Sequence, residues 1–188
     1  MFLQRFLFLL TLPQFITSES RSLRTEYLVD PVGIDVKNPR FSWINTNKQD
    51  TYQIIVKQNN LTTVWDSTAV TSSKNYHVAY NGTALTSDTQ YVINVITTSN
   101  NKTFHMKGTF HTGLLDGKND PLLKAKWITG GTTTRLLRTN FTLTKPPLDA
   151  TIFISGIGYH ELYCNGIKVG DHRLDTGWTD YSSRIYYP

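Results

Sequence analysis

Apolar and polar residues alternate in short runs along most of this 188-residue chain. "RFSWI" (40–44), "YQIIVKQ" (52–58), "HVAY" (77–80), "YVINVIT" (91–97) and "KGTFHT" (107–112) are rich in β-branched and aromatic residues, and clusters of Asn, Gly, Asp, Ser and Pro separate them. The same texture returns at 136–143, 150–155 and 160–164. A period of two marks strands with one buried face, and no stretch after Leu23 sustains the 3.6-residue period of an amphipathic helix. The pattern predicts an all-β chain. "GLLDGKNDPLLKAKW" (113–127) interrupts the strand rhythm with two Gly, two Asp and a Pro, which places a domain boundary there. No internal repeat or low-complexity segment stands out.

Two local patterns are specific enough to fix geometry. Leu85, Thr89 and Tyr91 reproduce the spacing of a tyrosine corner, in which a Tyr at a strand start hydrogen-bonds back to the preceding turn of a sandwich domain. Ser87 stands where fibronectin type III domains usually carry Pro. On this reading Trp43 is a core tryptophan, with Tyr52 and Val56 inward on the next strand. In "GIGYHELYCNGIKVG" (156–170), Asn165-Gly166 is the signature of a two-residue type I′ hairpin loop. That loop pairs Cys164 with Ile167 and Leu162 with Val169 on one face, and Tyr163 with Lys168 and Glu161 with Gly170 on the other. A stack of Tyr163 under the Lys168 stem is expected there, worth roughly 0.5 to 1 kcal/mol at an exposed site.

The N-terminus changes the picture from fold to compartment. Arg5, an apolar run over 6–12, and the small residues Ser18 and Ser20 read as an export signal over 1–20. The run is too short to span a bilayer, so no membrane segment is expected. Asn60, Asn81, Asn101 and Asn140 each begin an Asn-x-Thr sequon, and together with the signal they point to a secreted, glycosylated protein. Cys164 is the sole cysteine, so no internal disulfide forms; it reads as a small buried hydrophobe before a nucleophile. Lys and Arg outnumber Asp and Glu for a net charge of +5, but they are scattered without a basic run, which argues against nucleic-acid binding.

Candidate chemistry concentrates at the C-terminal end. "LDTGWTDYSSRIYY" (174–187) is unusually aromatic beside Asp175 and Asp180. Tyr159, Tyr163, Trp178 and Tyr181 have the composition of a carbohydrate-contacting surface, in which rings meet sugar C–H faces and nearby polar groups order the hydroxyls. For any single one of these rings, filling a sandwich core and its rim is the favoured reading. No cofactor site is expected: Gly156-Ile157-Gly158 opens like a nucleotide fingerprint but has Glu161 where Gly belongs, and no helix follows. His77, His105, His111, His160 and His172 lack metal-ligand spacing, so no metal is expected. No Gly-x-Ser-x-Gly elbow frames a nucleophile.

Several stretches together resemble one family. "LRTEYLVDPVGIDVKNPRFSW" (23–43), "YQIIV" (52–56), "VWDS" (64–67), "FHTGLL" (110–115), "KWI" (126–128), "LLRTNFTL" (136–143) and the whole of 156–187 resemble the N-terminal part of inverting, bacterial-type α-L-rhamnosidases. Departures are Thr176, where that family often has Pro, and Cys164, where it has an aliphatic residue. The tyrosine-corner spacing gives a fibronectin type III-like β-sandwich over 21–115, with a generic sandwich of accidental spacing as the alternative, followed by a linker over 116–126; the resemblance implies the start of a jelly-roll or galactose-binding-like β-sandwich over 127–188. The second sandwich would be incomplete, since the resembled domain continues through further strands, and the chain is expected to be a fragment of a longer protein.

Inverting hydrolysis needs a general acid and a general base roughly 6.5 to 9.5 Å apart. The resemblance implies that they lie in an (α/α) barrel further along such chains, and no catalytic residue is expected here. After the signal only Glu26 and Glu161 are glutamates, and neither is assigned that role. The implied function is a non-catalytic accessory region of a secreted α-L-rhamnosidase, partnered by a rhamnose-containing glycan. A stand-alone secreted carbohydrate-binding module and a fibronectin-type adhesion module remain as alternatives.

Overall fold

The computed structural model describes residues 23–45, 48–59, 61–115, 124–130, 136–147, 150–171 and 173–187. The expected export signal, Asn60, His172 and most of the expected linker lie outside them. The chain divides into two compact units, Met1–Leu115 and Asp116–Pro188.

The first unit is an antiparallel β-sandwich. Its smaller sheet runs β1 (Leu23–Thr25), β2 (Arg40–Trp43), β6 (Val78–Ala79). Its larger sheet runs β4 (Thr62–Asp66), β3 (Thr51–Gln58), β7 (Gln90–Ser99), β8 (Lys102–His111), with the short β5 (Val70–Thr71) also paired to β3. Burial alternates along β3 and along β7 from Ile93 onward: Tyr52, Ile54 and Val56 on β3 face inward with Tyr91, Ile93 and Val95 on β7, where Val92 is buried as well. Register follows that alternation, because Ile54 lies opposite Val95 and Val56 opposite Ile93; a one-residue slip would turn every one of these side chains to water. Phe41 and Trp43 close the core from the smaller sheet. Each fully buried Ile, Val or Phe contributes about 1.5–3 kcal/mol relative to exposure, so this core dominates the unit's stability.

The tyrosine corner forms as expected. Tyr91 Oη accepts the Thr86 backbone N–H at 2.8 Å, and the ring stacks on Phe110 at 5.0 Å between centroids. Trp43 is buried, and its indole N–H donates to Gln49 Oε1 at 2.9 Å. Gln49, itself buried, returns its amide to the carbonyls of Ser72 and Lys74, so a buried polar side chain is fully satisfied and ties together two loops. Gly82 shows why its position excludes a side chain: an added Cβ would lie 2.5 Å from Trp65 Cβ, Tyr80 Oη and the Val64 carbonyl.

In the second unit the described strands are β9 (Tyr163–Cys164) and β10 (Ile167–Lys168). They form the expected hairpin: Cys164 faces Ile167, Tyr163 faces Lys168, and the Val169 N–H reaches the Leu162 carbonyl at 2.9 Å. Asn165 and Gly166 have φ of 50° and 82°, the two left-handed residues that a type I′ loop requires. The strands expected at 136–143 and 150–155 do not form. Both segments carry the right residues, but a strand exists only with a ladder partner, and neither segment lies in one. Leu136, Phe141 and Leu143 are consequently exposed. Cys164 is also exposed rather than buried, because nothing among the described residues covers that face of the hairpin.

Candidate functional site

The aromatic surface is assembled from two segments that run against each other, 153–160 and 175–187. His160 N–H donates to the Asp175 carbonyl, Thr176 Oγ1 to the Gly156 carbonyl at 3.4 Å, and Ser155 Oγ to the Tyr186 carbonyl at 2.6 Å. Phe153 meets Tyr187 edge-on at 6.2 Å. These contacts fix the backbone that carries the rings. Tyr159 and Trp178 stand together with centroids 5.9 Å apart and planes tilted by 37°. Both are exposed, Tyr159 at 55% and Trp178 at 72%, so neither is a core residue. Tyr181, half-buried, reaches the residue before Tyr159, its hydroxyl accepting the Gly158 N–H at 3.2 Å.

Three of the four expected aromatics are therefore gathered by one pair of segments, and Tyr163 is held differently. It sits on β9, and its hydroxyl donates to Glu161 Oε2 at 2.9 Å while Lys168 Nζ donates to Glu161 Oε1 at 2.7 Å. The expected stack of Tyr163 under Lys168 is replaced by this triad, because a carboxylate on the same face offers both donors a charged acceptor. The Lys168 ammonium, followed by the Tyr163 hydroxyl, holds the Glu161 carboxyl below the usual glutamate range. In turn the Glu161 carboxylate pushes the Tyr163 phenol up. Asp180 accepts from the Ser182 N–H and from both serine hydroxyls at 182 and 183, and those bonds hold its carboxyl low. Asp180 thus orders the turn that follows Trp178.

The other glutamate is equally committed. Glu26 takes the Arg40 guanidinium on both oxygens, at 2.6 Å from Nη2 to Oε2 and 3.1 Å from Nε to Oε1, and also accepts the Arg40 backbone N–H at 2.6 Å. The Arg40 side chain is the main reason its carboxyl is held down, and burial opposes it. A general acid needs a carboxyl raised toward neutrality, whereas Glu26 and Glu161 are both displaced the other way. Of the sequon asparagines within the described residues, Asn81, Asn101 and Asn140 are all exposed. His111 approaches Asp88 at 3.5 Å.

Sequence reasoning gave no functional weight to Glu26, Arg40 or Tyr27. Their signal lies in backbone conformation, since Glu26 and Tyr27 have φ of 46° and 73°, and composition does not reveal that.

Comparison with known proteins places these features in a family. The family model described as "Rha78A-like, N-terminal immunoglobulin domain" matches residues 20–116, and "Alpha-L-rhamnosidase N-terminal domain" matches 145–188. An α-L-rhamnosidase of Formosa agariphila is 31% identical over 198 aligned residues, covering 84% of this chain and 21% of that protein. One from Alteromonas sp. is 31% identical over 188, covering 85% of this chain and 20% of its own length. The solved α-L-rhamnosidase of Dictyoglumus thermophilum superposes with a TM-score of 0.74 at 33% identity, over 88% of this chain and 22% of that one. The native enzyme of Aspergillus terreus, at 22% identity and a TM-score of 0.64 over 89% of this chain and 21% of its own, shares the fold. The chain spans about a fifth of the length of the curated relatives it matches. With just over half of its residues matched by the first of these models and the second following it, the chain belongs to the Rha78A-like N-terminal immunoglobulin family and continues into an α-L-rhamnosidase N-terminal domain.

Proposed function

We propose that this chain is the accessory N-terminal region of a secreted α-L-rhamnosidase, that it contacts the glycan through Tyr159, Trp178 and Tyr181, and that a separate (α/α) barrel outside these 188 residues cleaves terminal α-L-rhamnose. The observation that supports the accessory role most strongly is the succession of two N-terminal domain matches, with relatives named α-L-rhamnosidase aligned over only a fifth of their length. Support for glycan contact comes from the Tyr159 and Trp178 rings, which are exposed, adjacent and held by a hydrogen-bonded backbone. Such a pair lets a sugar ring cover apolar surface with little ordering of the protein, and the Asp175 and Asp180 region supplies polar groups at its edge. Tyr163, committed to Glu161, forms an outlying part of this surface.

Because the cleaving acid and base are assigned to that barrel, the chain alone should not turn over a glycoside. Secretion and glycan attachment at Asn60, Asn81, Asn101 and Asn140 complete the reading. The test is titration of the purified chain with methyl α-L-rhamnopyranoside while Trp fluorescence is followed. Saturable quenching that Trp178→Ala abolishes supports the reading; an unchanged signal in the wild-type chain refutes glycan contact.

A further inference from the structure

A second aromatic surface lies in the first unit, on the turn between β1 and β2 and the segment leading into β6. Thr25 and Leu28 exchange backbone hydrogen bonds at 2.9 Å in both directions, closing a two-residue loop over Glu26 and Tyr27. Both loop residues are left-handed, with φ of 46° and 73°. Such loops ordinarily use Asn and Gly, because a Cβ is crowded at positive φ. Here a glutamate and a tyrosine occupy them. His77 is a third left-handed residue, at 48°, and its N–H donates to Ser42 Oγ at 3.0 Å.

The strained turn places Tyr27 in a fixed setting. The Arg40 guanidinium, locked on Glu26, lies over its ring at 5.3 Å, and the His77 ring meets it edge-on at 5.1 Å. Tyr76 extends the row, 5.8 Å from His77. Arg24 Nη1 donates to the Tyr27 carbonyl at 2.9 Å, which leaves other guanidinium donors facing water. Yet Tyr27 is 58% and Tyr76 62% exposed, whereas the structural tyrosines of this sandwich, Tyr80 and Tyr91, are 2% and 1% exposed. Strained backbone that carries exposed, immobilised rings is an arrangement found at binding sites.

We propose that Tyr27, Tyr76 and His77, flanked by Arg24, form a second saccharide-contact surface on the immunoglobulin-like unit, taking a pyranose ring of a glycan chain. Size favours a sugar over a protein partner. A tyrosine offers roughly 150–250 Å², so two rings about three-fifths exposed present on the order of 250 Å². A stable protein interface needs about 800 Å² per partner, whereas one or two sugar units fit the smaller area. The rings supply apolar faces, and the Arg24 guanidinium and His77 imidazole supply hydroxyl partners. The choice of a rhamnose-bearing ligand rests on the function proposed above; the surface itself does not.

The test is an amide-resolved NMR titration of the whole chain with methyl α-L-rhamnopyranoside and, in parallel, methyl β-D-galactopyranoside. The expected result is saturable shifts at Leu28, Tyr76 and His77 with a Kd of about 1 mM, the range of an exposed single-sugar contact. Tyr76→Ala and Tyr27→Gly, the latter suited to the left-handed position, should each weaken these shifts at least tenfold while the core signals of Ile54 and Ile93 stay in place. Trp178→Ala should leave them unchanged, which separates this surface from the one on the second unit. Saturable shifts with galactoside alone would keep the surface and overturn the rhamnose assignment. No shift with either sugar, or shifts that survive both tyrosine substitutions, would overturn the proposal, as would concentration-dependent shifts without sugar, which would assign the patch to contact between copies.

Discussion

Replacing Tyr91 by Phe isolates the tyrosine corner from the core that surrounds it. The ring is 1% exposed and stacks on Phe110 with planes 15° apart, so the phenylalanine keeps the burial and the stack and loses only the oxygen. What remains is the Thr86 N–H, which donated to that oxygen at 2.8 Å. A buried donor left without a partner costs about 1–3 kcal/mol. Thr86 itself is exposed, so water reaches part of the vacated site and the cost should fall near the low end, about 1–1.5 kcal/mol. For a unit of this size that corresponds to a drop in Tm of roughly 4–8 °C per kcal/mol. The assay is a urea titration of the whole chain followed through the amide signals of Ile54, Ile93 and Val95, which report the first unit alone. Tyr91→Ala, which also empties the core, should cost about 3–5 kcal/mol by the same measurement. If Tyr91→Phe left the midpoint where the wild type has it, the hydroxyl would not be holding the corner, and the assignment of this bond as a structural tie would be refuted.

Other perturbations test separate parts of the account. Glu26 is held below its ordinary value of 4.5, so its pairing stabilises the fold above that pH and is lost as pH falls through the lowered value. Glu26→Gln should accordingly flatten the acid limb of the stability profile, read by urea midpoints at descending pH. Gly82→Ala forces a Cβ to within 2.5 Å of three atoms, two of them on neighbouring residues Trp65 and Tyr80, and should destabilise by about 1–3 kcal/mol or more in a thermal melt. Cys164 is exposed in the folded protein, so a thiol reagent should modify it as fast in buffer as in urea; marked protection would contradict the hairpin's open face.

The sequence carried the first unit's fold well because its information there is local and periodic. Alternation along 52–56 and 93–97 sets both the strands and the facing residues, and Leu85, Thr89 and Tyr91 specify a bond that the structure contains. The Asn165-Gly166 loop was equally legible, since its residue types are nearly determined by the positive φ values they adopt. Strands β4 and β5 were harder to read, because short edge strands such as Thr62–Asp66 are half-exposed and lack a buried face to set a period. The segments at 136–143 and 150–155 have strand composition without ladder partners, and composition cannot supply a partner. Gln49 shows a further limit: an amide between strands reads as loop, yet it is buried because Trp43 and two carbonyls satisfy it.

For the site, residue type pointed to Tyr159, Tyr163, Trp178 and Tyr181, and the two paired segments carry Tyr159, Trp178 and Tyr181. Tyr163 sits on β9 instead, and the expected stack under Lys168 gives way because Glu161 outcompetes a cation–π contact for that ammonium. Composition said nothing of the Tyr27 turn, because a Glu-Tyr pair at left-handed φ breaks the local rule that sequence reading relies on.

The central claim, that these residues hold a glycan without cleaving it, is tested most directly by saturation-transfer NMR on the chain mixed with a rhamnose-terminated oligosaccharide. Selective irradiation of aromatic protein protons should pass saturation to sugar C–H protons, while the anomeric signal of free rhamnose stays absent over prolonged incubation. Rhamnose released into solution, or sugar resonances untouched by the irradiation, would contradict the account.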